Sequence, residues 1–395
     1  MPGEVKNHPT YKGNRVKFCA MRIKAVQLQR VRIPLSKPYH ISRGSTDSFR
    51  NIIIRIKGDD GFEGIGECVF PSYAINSSID FAEKKLSGEF IPAIIGMDSM
   101  DIELIIKKLD PEQRLNLGPI AGIDLALWDL NGKALGLPVY KLLGGAVTLD
   151  IPVSYTLSIA SPERMAERAL EMMEYGYRTL VVKVGVGSIE EDIDRVRMIR
   201  EAVGPEIKLR LDANGAYTVD NAIYMLQAVE GHDLEYIEQP IPPGDMEGLR
   251  KLAASTDVPI SIDEGLQNLT DAVNLVKSGA VRIFNIKPPR CGGLWLSKKI
   301  AAIAESAGIP CICGGLLALE ITRQASRHFV ASTAQACTGY AHEGPGPASQ
   351  SVTGTVTNRT MTYQDVKIGG GFLQPSERPG LGVDLDEDMV NRYLV

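Results

Sequence analysis

Hydrophobic and polar positions change rhythm several times along the chain. From Met21 to Leu28 apolar and polar residues alternate, which predicts a strand. Residues 50–57 are rich in isoleucine and end at Gly58-Asp59-Asp60-Gly61, a turn signal. Residues 62–68 follow as a partner strand, so the pattern predicts a small antiparallel sheet. Residues 78–110 and 119–142 read as helices, with Ile123, Leu127, Leu130 and Ala134 at helical spacing beside Trp128. From Ile151 a repeat of strand, loop, helix and loop sets in. Strands are expected at 151–156, at 179–184, in runs that end at Asp212, Glu238 and Asp263, near Lys287, at 309–313 and near 334–338. Ser161-Pro162 predicts a helix start and Gly176 its stop. Ser188 with Glu191 predicts a capping box, and Ile193, Val196, Ile199 and Val203 a buried stripe. After about residue 365 short strand-and-loop text returns and is expected to fold back on the first domain. The expected division is 1–20 as an extension, 21–146 as a first domain, 147–365 as a parallel barrel and 366–395 as the returning segment.

Size and composition bound the function. A chain of 395 residues suits one barrel of about 250 residues plus a smaller domain. Hydrophobic content of 44% and charged content of 23% are those of a globular chain. A net charge of −5 gives no reason to expect nucleic acid or an anionic membrane as partner. No apolar run reaches the roughly 20 residues of a membrane span. The six cysteines lack paired spacing, which points to reduced thiols and a cytoplasmic protein. Residues 1–20 carry basic residues without an apolar core, unlike a secretory signal.

Charge falls at the strand ends. Asp212, Glu238, Asp263 and Lys287 each close an apolar run, about 25 residues apart, the length of one strand-helix unit. Lys183 fits one unit earlier. Such positions converge at the C-terminal face of a barrel, where barrel active sites lie. Three carboxylates suit a hard dication, Mg²⁺ or Mn²⁺, rather than zinc. Glu264 rivals Asp263 as third ligand, and Asp263 is preferred because it ends the alternating run. Asn214 is expected to support the site from beside Asp212. Lys183 and Lys287 stand on opposite arcs, which suits an acid/base pair acting on the two faces of a substrate. A dication beside a carboxylate makes removal of its α-proton feasible. The segments 38–44 and 70–73 mix aromatic, polar and Gly/Pro residues, as a substrate lid would. Tyr39 and Tyr73 are therefore expected at the substrate.

At these residues the sequence resembles the enolase superfamily, and within it the muconate lactonizing enzyme (muconate cycloisomerase) subgroup of the mandelate racemase-like proteins. The resemblance spans about 21–395. It rests on Gly64-Ile65-Gly66-Glu67, the run from Ala121 to Lys133 with Asp124 and Trp128, Leu142-Leu143-Gly144-Gly145, Asn285-Ile286-Lys287 and Gly292-Gly293. It implies an α/β fold, a (β/α)7β TIM-like barrel with an α+β capping domain, and a homo-oligomer. It also implies Mg²⁺ on Asp212, Glu238 and Asp263, with Lys183 and Lys287 as acid/base residues. Lysine at the sixth strand argues against the mandelate racemase type, which uses a His–Asp dyad there. Three positions depart from the subgroup. Val181 replaces the first lysine of Lys-x-Lys, which is thought to tune the second. Ala318 replaces a glutamate after strand seven, with Glu320 nearby. Ala341-His342-Glu343 replaces the Asp-x-Asp of dipeptide epimerases. His342 and Glu343 are expected near the mouth, with Glu343 placed to hold an ammonium group.

The resulting expectation is a metal-dependent isomerase or lyase that abstracts the α-proton of a small carboxylate, giving an enediolate. The favoured outcome is racemisation, epimerisation or dehydration of an amino-acid derivative such as a hydroxyproline. Muconate-type cycloisomerisation is the alternative, and a non-catalytic binding protein on the same fold the remote one.

Overall fold

The computed structural model describes residues 21–41, 44–70, 78–337, 339, 341–344, 356–357 and 363–395. Tyr73 lies outside the described residues. Tyr39 sits in a strand, but its side chain is outside them too.

The alternating N-terminal text forms an antiparallel sheet of β1 (Ile23–Ile41), β2 (Gly44–Gly58) and β3 (Glu63–Val69), in that order. Ile52, Ile53, Ile54 and Ile56 are fully buried. The text at 78–110 is not one helix. It divides into α1 (Ile79–Lys85), a π-helical turn, α2 (Ile91–Ile94) and, past Gly96 with φ +81°, α3 (Ile102–Leu109). The second helical stretch is α4 (Leu117–Leu135), stopped by left-handed Gly136, then α5 (Val139–Leu142). α4 lies across β2 and β3, and its contact with β3 explains Gly64 and Gly66. A Cβ on Gly66 would collide with the carbonyl of Gly122, and one on Gly64 with that of Ala126.

Eight parallel strands follow: β4 (Ile151–Leu157), β5 (Thr179–Lys183), β6 (Lys208–Asp212), β7 (Leu234–Glu238), β8 (Ile260–Ile262), β9 (Ile283–Asn285), β10 (Cys311–Ile312) and β11 (His342–Glu343). They pair in the order β10-β9-β8-β7-β6-β5-β4-β11, each beside its neighbour in sequence except at the ends. Seven helices alternate with them: α6 (Pro162–Glu174), α7 (Ile189–Val203), α8 (Val219–Ala228), α9 (Met246–Ala253), α10 (Leu269–Ser278), α11 (Leu294–Ser306) and α12 (Glu320–Ala331). This is a (β/α)7β barrel beside a sheet-and-helix domain. The eighth strand is not at 334–338. Residues Ala334–Cys337 form a 3-10 turn, pinned by the Gln335 amide on the Ile309 carbonyl (2.5 Å), and the strand comes later at His342. Of the capping box at Ser188 only half forms. Ser188 accepts from the Glu191 N–H, but the Glu191 carboxylate turns to Arg195.

The tail joins both parts. β12 (Phe372–Leu373) pairs with β4. Beyond α13 (Tyr363–Ile368), α14 (Glu387–Tyr393) brings Glu387 to Arg55 of β2, and the Val395 N–H reaches the Arg30 carbonyl at 3.0 Å. Cys68, Cys291, Cys311, Cys313 and Cys337 are free thiols. No helix among the described residues is long and apolar enough to cross a membrane.

Candidate active site

Parallel pairing aligns the C-terminal strand ends. Lys183 stands beside Asp212 and Asp212 beside Glu238 in direct register. Asp263 follows β8 by one residue and Lys287 follows β9 by two. None of the five is more than 8% exposed. The structure thus brings together the three acids and two lysines expected at the site.

Each acid is held. Lys183 Nζ donates to Asp212 Oδ2 and, at 2.9 Å, to Asn214 Oδ1. Asn214 has φ +46°, a left-handed conformation that asparagine tolerates. Its N–H donates to Asp212 Oδ1 (2.9 Å), and its Nδ2 reaches Glu264 Oε1 at 3.0 Å. Its amide therefore knits the site together. Asn285 Nδ2 donates to Glu238 Oε1 (2.9 Å), and Asn285 Oδ1 accepts the Gly314 N–H (2.7 Å). Lys287 Nζ donates to Asp263 Oδ2 at 2.9 Å, while Arg290 Nη2 donates to Asp263 Oδ1 and to its carbonyl, both at 2.6 Å.

The electrostatics separate the acids. Burial pushes the Glu238 carboxyl well above its ordinary range, and repulsion from Asp212 and Asp263 adds to it. Glu264 rises for the same reasons, burial first and then Asp263 and Asp212. Burial would also raise Asp263, but the Arg290 guanidinium and the Lys287 ammonium outweigh it and hold that carboxyl low. Burial would lower the Lys287 amine. Asp263 outweighs burial and holds the ammonium form. Three carboxylates and no soft donor are a ligand chemistry for a hard dication such as Mg²⁺. Among the described residues no three His, Cys, Asp or Glu side chains stand together closely enough to hold an ion as placed. The hydrogen bonds show why: oxygens of Asp212 and Asp263 face ammonium and guanidinium groups instead.

The other expected residues divide. Glu343 accepts the Gly315 N–H and acts electrostatically on Lys287, so it belongs to the site. His342 lines the same cavity as Gly314, Gly315 and Glu343, but its ring is committed to the backbone. It is 4% exposed and closes the barrel seam between β10 and β11, its Nδ1 accepting the Cys313 N–H at 2.9 Å. Glu320 pairs with Arg327 inside α12 and does not stand in for the missing glutamate at Ala318. Val181 is buried in register with Thr156 and Arg210. Arg210 is spent below the acids on Glu235 (2.7 Å) and the Ala341 carbonyl (2.7 Å).

Sequence reasoning gave no site role to Asn285, quoted only within the Asn285-Ile286-Lys287 motif, nor to Arg290, Gly314 and Gly315. Such a role was legible for Asn285, which ends β9 two residues before Lys287, the spacing at which side chains of an extended run turn the same way. The glycines gave no signal of their own. A Cβ on Gly314 would stand 2.5 Å from Lys287 Cε, and one on Gly315 would stand 2.6 Å from Glu343 Oε2.

Known proteins share this architecture. Residues 23–144 match the mandelate racemase / muconate lactonizing enzyme N-terminal domain, and residues 164–389 the enolase C-terminal domain-like family. The N-succinyl-L-Arg/Lys racemase of Bacillus cereus is 33% identical over 95% of this chain and 98% of its own. Its crystal structure matches with a TM-score of 0.88. The hydrophobic dipeptide epimerase of Enterococcus faecalis is 35% identical over 92% of this chain and 99% of its own. Its structure, complexed with Mg and the dipeptide L-Leu-L-Tyr, matches with a TM-score of 0.85. A chloromuconate cycloisomerase of a Pseudomonas species is 30% identical over 94% of this chain and 99% of its own.

Proposed function

The chain belongs to the mandelate racemase / muconate lactonizing enzyme family of the enolase superfamily, and from that premise we propose that it is a Mg²⁺-dependent racemase or epimerase of an amino-acid derivative. The observation that carries this reading is the placement of two amines. Lys183 ends β5 and Lys287 follows β9, with the acid row of β6, β7 and β8 between them. A carboxylate substrate laid over that row would present one face to each amine. Asp212, Glu238 and Asp263 would hold the ion, which supplies positive charge against the substrate carboxylate as its α-proton leaves. One lysine takes the proton from the α-carbon and the other returns one to the opposite face. Asn214, Asn285 and Arg290 orient the acids. Glu343, next to Lys287, supports a substrate that carries an ammonium or amide N–H, as an N-acyl amino acid or a dipeptide does. Two of the relatives, the Bacillus cereus racemase and the Enterococcus faecalis epimerase, are named for such compounds.

A second reading draws on Val181. Without the amine of the subgroup pattern beside it, Lys183 is left as a poorer base, which suits a one-base elimination from a hydroxyproline-like acid or a cycloisomerisation. The test is a panel of N-acyl amino acids, dipeptides, hydroxyprolines and muconates in D₂O with Mg²⁺, followed by mass spectrometry. Deuterium at the α-carbon with inversion is expected for an amino-acid derivative. Loss of water or lactone formation without exchange into both enantiomers would replace the racemase reading by the second.

A further inference from the structure

The seven barrel helices do not begin alike. Five carry their own N-cap: Ser161, Ser188, Thr218, Asp245 and Asn268 each accept an N–H of the first turn. α11 and α12 do not. Their N-cap residues are Gly293 and Leu319, which have no side-chain acceptor. In both cases the acceptor comes from the N-terminal domain. Asp124 of α4 accepts the N–H of Leu294 (2.5 Å) and of Trp295 (3.4 Å), and the Trp128 indole N–H (3.2 Å). Glu67 of β3 accepts the N–H of Leu319 (2.8 Å) and of Thr322 (3.2 Å), the Thr322 hydroxyl (2.7 Å) and Asn51 Nδ2 (2.5 Å). Both carboxylates are fully buried. A buried helix start must find its acceptors somewhere. Here they come from 170 and 252 residues away.

These two helices follow the two turns that touch the site. Between Lys287 and α11 the chain is tightly wound: the Arg290 and Cys291 N–H groups both reach the Lys287 carbonyl (2.8 and 2.9 Å), and the Gly293 N–H that of Pro288 (2.8 Å). Gly293 has φ +95°, and a Cβ there would collide with the Asp124 carboxylate. Before α12 lie Gly314 and Gly315, packed without spare room against Lys287, Asn285 and Glu343. Asn51 reaches the same segment at the Leu317 carbonyl (3.5 Å).

We propose that Glu67 and Asp124 are positioning residues, which cap α12 and α11 from the other domain and thereby fix the turns that place Lys287 and Glu343. The proposal rests on the function above for what those two side chains do, but not for the contact itself. Two stretches that look independent in the sequence, Gly64-Ile65-Gly66-Glu67 and Asp124 with its neighbours, thus meet their counterparts near Leu319 and Gly293.

The experiment compares wild type, Glu67→Gln, Asp124→Asn and, as a control, Ser161→Ala, which removes the self-cap of α6. Each amide replacement turns an NH₂ towards donors. Backbone amide exchange of the full chain, read by mass spectrometry, is expected to rise at 314–322 in Glu67→Gln, at 287–296 in Asp124→Asn, and only near α6 in Ser161→Ala. Should Glu67→Gln not fold, Glu67→Asp keeps the charge with a shorter reach and is expected to loosen the same segment. With an exchanging substrate, kcat is expected to fall about 10- to 100-fold in the first two variants. KM should change little, and the control should keep wild-type kinetics. Unchanged amide exchange at both turns overturns the proposal. So does a loss of kcat in Ser161→Ala equal to that in Glu67→Gln, since helix stability alone would then explain both. A wild type that exchanges no α-proton defeats the proposed function instead, while the amide-exchange comparison still decides the capping contact.

Discussion

At the scale of single residues, the backbone at Gly314 leaves little room around Lys287, one of the two proposed acid/base residues. Gly314 is not in a left-handed conformation, so only space forbids a side chain there. Gly314→Ala would press a methyl group on Lys287 and Asn285. The expected result is a folded protein, destabilised by about 1–3 kcal/mol as overpacked sites are. Its α-proton exchange should fall at least about tenfold, because a lysine displaced by an ångström loses its line to the α-carbon. Wild-type kinetics in Gly314→Ala would show that Lys287 is not confined by this backbone. The lysines themselves give a sharper result. In a two-base racemase, Lys183→Ala and Lys287→Ala each stop turnover, and each still exchanges the α-proton of the one enantiomer that its remaining lysine faces. Val181 predicts inequality: Lys287→Ala should be the more damaging for exchange. Deuterium incorporation at pD near 8 with each enantiomer measures it, and equal, opposite selectivity would remove the asymmetry. The acids and lysines were readable in the sequence because each ends an apolar run and each run repeats. Arg290 was not, since it lies on a turn, where no periodicity says which way a side chain points.

At the scale of elements, the strands and helices with strong periodicity stand where the pattern puts them, whereas short elements set by tertiary contacts do not. β10 and β11 have two residues each, and the seam between them is closed by His342 rather than by a regular ladder. Nothing local in Ala-His-Glu marks a strand. The pattern assigns that role to the small-residue text near 334–338 instead. The seam has a pH consequence. Burial, reinforced by Arg210, pushes the His342 imidazole down from 6.5 to about 3, and burial pushes His328 down to about 4. His328 Nδ1 accepts the Tyr140 N–H (3.3 Å), so it too must be neutral there. A folded-state value below the unfolded one means that the unfolded chain takes up the proton first. Stability is therefore lost as pH falls from about 6.5 towards 4, by about 2.5 kcal/mol for each imidazole between pH 7.5 and 4.5. Asp124, raised by burial to about 7, works the other way and favours the folded state on acidification. The comparison with a variant isolates the histidine. His342→Gln should be less stable than wild type at pH 7.5 in urea, yet lose about 2.5 kcal/mol less on going to pH 4.5. Parallel pH curves for the two proteins would mean that His342 is not held neutral in the seam.

At the scale of the molecule, the N-terminal domain meets the rest of the chain through buried carboxylates: Glu67 and Asp124 against the starts of the barrel helices α12 and α11, and Asp129, which also accepts the Ile65 N–H of its own domain (2.8 Å), against the Leu381 N–H of the tail (2.7 Å). No pattern in the sequence announces such contacts, because each joins residues far apart and each half reads locally as an ordinary helix or strand position. The candidate active site has the same character. Asp212, Glu238 and Asp263 gather three buried carboxylates at one end of the barrel, and burial first, then repulsion from Asp212 and Asp263, pushes the Glu238 carboxyl up. Lys183, Lys287 and Arg290 offset part of that repulsion by turning to the outer two acids. A dication that took the carboxylates would relieve the rest and release the lysines for the substrate. The folded chain should therefore bind Mg²⁺ and the unfolded chain should not. At a hundredfold excess over the dissociation constant, the gain in stability is about 2.7 kcal/mol. Thermal unfolding with and without Mg²⁺ is expected to show a rise in Tm for wild type, reversed by a chelator, with α-proton exchange lost and regained in step. Asp212→Asn removes one charge at nearly constant volume. It is expected to remain folded, to show little or no rise with Mg²⁺, and to exchange no α-proton. If Asp212→Asn shows the full Mg²⁺-dependent rise, the ion binds elsewhere and the acid row is only a set of ion pairs. Full α-proton exchange by a chelated, metal-free wild type would leave the two lysines to act without an ion.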